Sequence, residues 1–160
     1  MSYAAETSTS VEKTRAELET TLIRFGAEAF GYMTGEGKAL IQFKANGKFV
    51  RFVLPIPSPN DKRFTEYVSR GYRYSRTPDS ARKEWEQGCR SAWRALFLAV
   101  KAKLVAVEAK ISSFENEFFA HIVLPDGQTV SEAMLPQINE ACATGKMPTF
   151  TLALPAPSEP

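Results

Sequence analysis

Aromatic and basic residues alternate through segment 57–77, PSPNDKRFTEYVSRGYRYSRT. The interleaved side chains are Lys62, Arg63, Arg70, Arg73 and Arg76 with Phe64, Tyr67, Tyr72 and Tyr74. Cations placed this way can neutralise phosphates, and aromatic rings beside them can stack on nucleobases of any identity. The alternative is a basic linker whose aromatic rings pack onto the domain. The sequence leaves both interpretations open, and it predicts a long connection without regular structure.

A second candidate surface lies on a predicted β-hairpin in residues 38–57. Its Asn46-Gly47 pair suits a two-residue type I′ turn, which places Lys44 opposite Phe49 and Gln42 opposite Arg51. Alternation along the strands then gives a core face of Ala39, Ile41, Phe43, Val50, Phe52 and Leu54. The outer face combines cations, an amide and an exposed aromatic ring, which could contact bases and phosphates. A solvated outer face of an antiparallel sheet explains the same pattern without a ligand, and the hairpin alone favours that interpretation.

A long helix follows the aromatic and basic segment. Thr77, Pro78 and Asp79 fit the N-cap, the first position and an acidic first turn, and the helical pattern continues through at least Ile111. A wide apolar arc predicts a central helix covered by the sheet and by another element or subunit. A narrow polar stripe with helical spacing is either solvated or an extension of a phosphate-binding track. Its residues are Lys83, Gln87, Arg90, Arg94 and Lys101.

The sequence offers little support for bond-making or metal chemistry. His121 is the one histidine, and its FFAHIVL context indicates a buried, hydrogen-bonded imidazole more than a catalytic one. The cysteines, the histidine and the carboxylates show no metal-ligand spacing. Segment 31–39 departs from the phosphate-loop pattern, since Ala39 stands where a hydroxyl is required. We therefore expect no enzyme activity, no cofactor and no metal.

The elements that would position these residues predict an α+β fold. A helix over roughly 10–25, with Thr9 and Glu12 as a capping box, precedes a three-stranded antiparallel meander and the long central helix. A turn at Pro125-Asp126-Gly127 leads into a short C-terminal helix over 131–143 that ends at Gly145. We expect a single domain over 10–150, including the basic loop 57–77. Residues 1–9 and the Pro-rich 151–160 are expected to be flexible tails.

Composition limits the class of protein more than its partners. A formal net charge of +2 in 160 residues proves no partner by itself. No apolar run is long enough to span a bilayer, and the N-terminus lacks the order of a signal peptide, so we expect a cytoplasmic protein without a membrane partner. Cys89 and Cys142 lie in predicted helices and are expected to be reduced and packed.

The order of helix, three-stranded meander and long helix resembles the core of the single-strand DNA annealing recombinases, the superfamily of RecT, Erf and Redβ. The resemblance rests on segments 12–26, 28–55 and 81–104, the last with RALFLAVKAKL. In wording, LIRFGAEAF, VRFVLPIP and HIVLPDGQTVSE look like a widespread family of small, uncharacterised phage and prophage proteins. That second resemblance spans most of 11–150 and implies no function.

The annealing resemblance implies a positively charged groove between the meander and the long helix, and subunits that assemble into homo-oligomers. Carried onto this chain, the groove would use basic residues with neighbouring aromatic rings: Lys44, Lys48, Phe49, Arg51, Lys62, Arg63, Arg70, Tyr72, Arg73, Tyr74, Arg76, Arg90 and Arg94. The expected function is phage-encoded binding and annealing of single-stranded DNA in the host cytoplasm during recombination or replication. The alternative is a protein-interaction module that inhibits a host defence enzyme, with the arginines on an acidic protein surface.

Overall fold

The computed structural model describes residues 4–148, and they form the predicted α+β fold. Helix α1 (Val11–Arg24) precedes strands β1 (Ala29–Gly35), β2 (Lys38–Ala45) and β3 (Lys48–Pro55). A short helix α2 (Lys62–Thr65) and strands β4 (Glu66–Ser69) and β5 (Tyr72–Ser75) lead into the long helix α3 (Pro78–Glu108). Helix α4 (Phe114–Phe118), a 3₁₀ turn (Phe119–His121) and helix α5 (Val130–Thr144) complete the fold.

The three-stranded sheet has the order β1-β2-β3 and the register predicted from its turn. Lys44 pairs with Phe49, Gln42 with Arg51 and Leu40 with Val53. Asn46 and Gly47 have φ values of 50° and 70°, the positive angles that a type I′ turn requires at both central positions. The turn therefore determines which residues face the core.

The core lies between one face of the sheet and helix α3. Ile41, Phe43 and Val50 from the predicted core face are buried. They contact a stripe on α3 that repeats at helical spacing: Trp93, Phe97, Val100 and Leu104. Helix α1 adds Leu18 and Leu22, and α4 adds Phe114 and Phe118. The apolar arc of α3 is therefore wide because several elements cover it.

The polar stripe of α3 packs against the N-terminal part of the chain. Gln87 Nε2 donates to the carbonyl oxygens of Ala5 and Thr7 at 3.0 and 2.9 Å. Arg94 Nη1 lies 2.6 Å from Glu17 Oε2 of α1. Gln87 and Arg94 of this stripe therefore hold segment 4–9 and α1 in place. Residues 4–9, which were expected to belong to a flexible tail, lie along α3. The expected tail 151–160 lies outside the described residues.

Segment 57–77, predicted to lack regular structure, contains α2 and a β4–β5 hairpin. The hairpin turns at Arg70 and Gly71, whose φ values of 50° and 82° again define a two-residue turn with positive angles. Phe64 of α2 is buried. A Cβ added to Gly88 would lie only 2.7 Å from the ring atom Cζ of Phe64. The absence of a side chain at position 88 lets α2 approach α3 closely.

The C-terminal part of the chain covers the free edge of β3. Val50 forms an isolated bridge with Ile122, and the Val123 N–H donates to the Phe49 carbonyl at 2.8 Å. The predicted turn at 125–127 and the helix ending at Gly145, with a left-handed φ of 68°, are both present. Of the three phenylalanines in segment 114–119, Phe114 and Phe118 are buried, but Phe119 is exposed.

Three details of the helix ends differ from prediction. Ser10, not Thr9, caps α1, since its hydroxyl accepts from the Lys13 N–H at 3.2 Å. Helix α3 starts at the predicted Thr77 cap but ends at Glu108, because Lys110 takes a positive φ of 57° that an α-helix cannot accommodate. Ile111, expected within the helix, lies beyond it and is exposed.

Candidate nucleic-acid interface

The β4–β5 hairpin presents three tyrosines on one face. Tyr67 is directly opposite Tyr74, and Ser69 is directly opposite Tyr72, so strand alternation places these four residues on the same side. The rings of Tyr67 and Tyr74 stack with centroids 5.5 Å apart and planes 26° apart. Tyr72 is 70% exposed, and the other two rings are about half exposed. This face is an aromatic platform on which a planar base can stack.

Basic residues surround the tyrosine face. Arg70 is exposed at the tip, and the Arg76 guanidinium lies 5.5 Å from the ring centroid of Tyr67 at the base. Arg73 projects from the opposite face, paired at 3.5 Å with Glu66. Lys62, Arg63 and Arg73 line a shallow cleft between α2 and β4. Segment 57–77 holds five of the twenty basic residues of the chain and only two of its eighteen acidic residues. The segment therefore carries a net charge of +3.

The hairpin is anchored at its base and projects from the rest of the fold. The Arg76 N–H donates to the Thr65 carbonyl at 2.7 Å, which closes the base, and Arg76 lies 3.6 Å from Glu84 of α3. Trp85 Nε1 donates to the Pro57 carbonyl at 2.7 Å and fixes the connection that leads to α2. All residues of β5 are exposed. Both faces of the hairpin are therefore accessible to a ligand.

The candidate residues of the meander occupy a different surface. Lys44 forms an ion pair with Glu28 at 2.7 Å, and Lys48 forms one with Glu115 at 3.2 Å. Arg51 donates to Gln42 Oε1 and to the Gly127 carbonyl, and Phe49 is 45% exposed. The eight residues of β3 separate Lys48 from the connection to the hairpin by about 23 Å. Lys48 and Arg51 hold the β2–β3 hairpin against the C-terminal part of the chain, and Lys44 pairs with the residue that precedes β1.

Arg90 and Arg94 belong to the side of the molecule opposite the outer sheet face. Both lie on α3, which covers the inner face of the sheet. The Arg94 guanidinium pairs with Glu17 and lies 4.7 Å from the Phe97 ring centroid. Arg90 donates to Gln87 Oε1 at 3.0 and 2.6 Å. Neither residue shares a surface with Lys44 or Arg51.

The expected continuous groove between the meander, the arginine and tyrosine segment and the long helix is therefore not formed. The candidate cations lie on three separate surfaces, and six of them are paired with carboxylates of the chain: Lys44, Lys48, Arg63, Arg73, Arg76 and Arg94. The prediction of a continuous groove was wrong because the spacing of residues in the sequence does not show on which side of a sheet a helix packs. Within residues 4–148, the hairpin brings candidate cations together with two candidate tyrosines, Tyr72 and Tyr74, whose rings are exposed.

The remaining side chains with chemical reactivity are His121 and the two cysteines. The His121 ring stacks on Phe52 at 4.0 Å, and burial lowers the pKa of its imidazole. Both cysteines carry free thiols, but Cys142 is exposed where a packed thiol was expected. In residues 4–148, no three His, Cys, Asp or Glu side chains group as a metal site would need. None of the helices in that range is both long and apolar enough to cross a bilayer.

Comparison with protein-family models, with curated protein sequences and with solved structures finds no match to this chain.

Proposed function

We propose that the chain binds single-stranded nucleic acid, with single-stranded DNA as the leading ligand, through the β4–β5 hairpin. The observation that carries this proposal is the exposed face of Tyr67, Tyr72 and Tyr74 inside a basic segment of the chain. Bases stack on the tyrosines, and phosphates are neutralised by Lys62 and Arg70 at either end of the hairpin. Among the described residues, neither of these two cations forms an ion pair.

The resemblance to annealing recombinases supplies the wider role, which we propose as annealing of complementary strands during phage recombination or replication. Annealing requires that bases stay accessible while the backbone is held. A narrow, projecting hairpin meets that requirement, since it contacts a few nucleotides and leaves their neighbours exposed to a second strand. Binding and pairing use no cofactor and no bond chemistry in this proposal.

Salt titration tests the proposal directly. Binding of a fluorescent oligothymidine, measured by anisotropy, should weaken about sevenfold between 50 and 200 mM salt if the two phosphates at Lys62 and Arg70 are neutralised. Loss of one stacking ring in Tyr72→Ala should weaken binding by about 1–3 kcal/mol. Phe49→Ala is the matched control, because it removes an exposed ring from the outer sheet face. Binding that is absent at low salt, or unchanged in Tyr72→Ala, contradicts the proposal.

A second candidate function is a protein-interaction module that inhibits a host defence enzyme. One observation favours it: the exposed hairpin combines tyrosines with arginines, which is the composition of protein-interface hot spots. Capture from a nuclease-treated bacterial lysate separates the two candidates. A protein that is retained without nucleic acid and lost with Tyr72→Ala supports this function.

A further inference from the structure

A cavity of about 530 Å³ opens between the start of α1, the first half of α3 and the end of β1. Its volume falls within the usual range of small-molecule sites, about 300–1,000 Å³. The wall includes Val11, Arg15, Trp85, Cys89, Arg90 and Trp93. Gly88, which contacts the hairpin anchor Phe64, points to another side of α3. The cavity is therefore separate from the candidate interface on the hairpin.

The Arg15 guanidinium lies in a corner formed by two aromatic rings whose planes are 83° apart. Its guanidinium carbon lies 4.5 Å from the ring centroid of Tyr32 and 4.4 Å from that of Trp93. The aromatic rings stabilise the positive charge of the guanidinium. Its Nε–H is buried and has no acceptor within residues 4–148, so an anion in the cavity would meet the two Nη groups of the guanidinium.

Arg90 is the second cation of the cavity, and it also lacks a carboxylate partner. It donates two hydrogen bonds to the neutral Gln87 Oε1. None of the ion pairs in the described part of the chain includes Arg15 or Arg90. Two acids also line the wall: Glu86 pairs with Arg82 at 3.8 Å, and the backbone N–H of Glu12, the Ser10 hydroxyl and, to a lesser degree, the charge of Arg15 hold the pKa of the Glu12 carboxyl below its usual value.

We propose that this cavity binds a small organic anion, a carboxylate or phosphate joined to an aromatic or aliphatic body. The planar guanidinium groups of Arg15 and Arg90 match the geometry of such an anionic group. The indole ring of Trp85 contacts the apolar body, while Trp93, only 2% exposed, lies behind the Arg15 guanidinium. The Trp85 ring is already fixed by its bond to the Pro57 carbonyl, so the wall is largely formed before a ligand arrives. This binding activity is independent of the proposed nucleic-acid function.

The two tryptophans of the chain both line the cavity, so intrinsic tryptophan fluorescence reports its occupancy. Phenylacetate and phenyl phosphate should change the emission saturably, at least about tenfold more tightly than the neutral phenylacetamide. Thymidine monophosphate and N-acetylphenylalanine then distinguish a nucleotide source of the anion from the carboxyl end of a peptide. Equal affinity for the anions and the amide, or no saturable change up to about 10 mM, overturns the proposal.

Substitutions of the two cavity arginines identify which cation binds the anion. Arg15→Gln should lose at least about tenfold in affinity for phenyl phosphate, whereas the matched control Arg24→Gln, on the same helix but outside the cavity wall, should keep it. If thermal unfolding shows that Arg15→Gln does not fold, Arg90→Gln decides, because that side chain donates only to Gln87. Wild-type affinity in the deciding variant overturns the proposal. Tyr72→Ala should bind the probes normally, which separates this test from that of the hairpin.

Discussion

His121 shows how one residue can link the fold to pH. Its ring stacks on Phe52, and burial lowers the pKa of its imidazole most, with the Lys103 ammonium adding to the effect and the Arg51 backbone carbonyl opposing it. A histidine whose pKa is lowered in the folded state is held neutral by folding. The unfolded chain therefore takes up a proton at higher pH than the folded chain does.

We expect the free energy of unfolding to be fully maintained above about pH 6.5, the pKa of an unfolded histidine, and to fall as the pH drops through the lower folded value. Urea unfolding between pH 7.5 and 5 measures this, since the lowered pKa values of Glu12, Glu115 and Glu132 act only at more acidic pH. His121→Gln should flatten the profile over the same range. An identical slope in the variant would assign the effect to other groups.

The ion pairs of the candidate cations also belong to the residue scale. The carboxylates that pair with Lys48 and Arg94 lie 67 and 77 residues away in the sequence. Such pairs are invisible in residue spacing, and for this reason a list of basic residues overestimated the charge available to a nucleic acid. Lys62 and Arg70, which are exposed on α2 and at the hairpin tip, are the candidates whose charge is most accessible.

At the level of elements, the β4–β5 hairpin makes most of its contacts with itself and with α2. A two-stranded hairpin is marginal alone in water, so its order depends on the anchor that Phe64 makes against α3. The rest of the fold depends little on the hairpin, since no side chain of the hairpin belongs to the main core. The hairpin is therefore an appendage to the fold.

We predict that residues 66–75 can be removed with little loss of stability. Thr65 and Arg76 already meet through a 2.7 Å hydrogen bond, so an Asn-Gly turn can join them without strain. The unfolding midpoint should change by no more than about 4 °C, equivalent to about 1 kcal/mol in a domain of this size. Oligonucleotide binding should disappear in the same variant. Loss of a cooperative unfolding transition would show that the hairpin is part of the core.

The two hairpins show what the sequence could and could not predict. Asn46-Gly47 predicts the β2–β3 register residue by residue, because few other pairs tolerate positive φ twice. Arg70-Gly71 adopts the same turn, but arginine rarely takes a positive φ, and four-residue strands of exposed residues give little apolar alternation. The alternation of Tyr72, Arg73 and Tyr74 before a glycine-containing turn was the available signal. The side of the sheet that each cation faces followed only from the packing of α3.

At the scale of the whole molecule, the sheet has one edge that the described residues leave open. Strand β1 pairs with β2 alone, whereas β3 is met by Ile122 and Val123. The sequence of β1, Ala29–Gly35, contains no charged residue, and natural edge strands commonly use charge to prevent pairing with other chains. The expected homo-oligomer therefore has a candidate surface in this strand.

Sedimentation with and without oligothymidine tests assembly. We expect a mass above the 17.8 kDa of one chain, and a lower mass for Met33→Lys, which places a charge on the open edge. Val53→Lys is the matched control, because Val53 is similarly exposed on the outer face but lies in β3. A wild-type chain that stays monomeric at about 50 µM with and without DNA would contradict assembly through β1.

Gly88 limits which substitutions can be used to stabilise α3. Helix propensity alone would recommend alanine there, with a nominal gain of up to about 1 kcal/mol. The added methyl group would collide with the buried ring of Phe64 and push α2 outward. A Gly88→Ala variant chosen by helix propensity can thus keep its melting temperature while losing the orientation of the hairpin tyrosines.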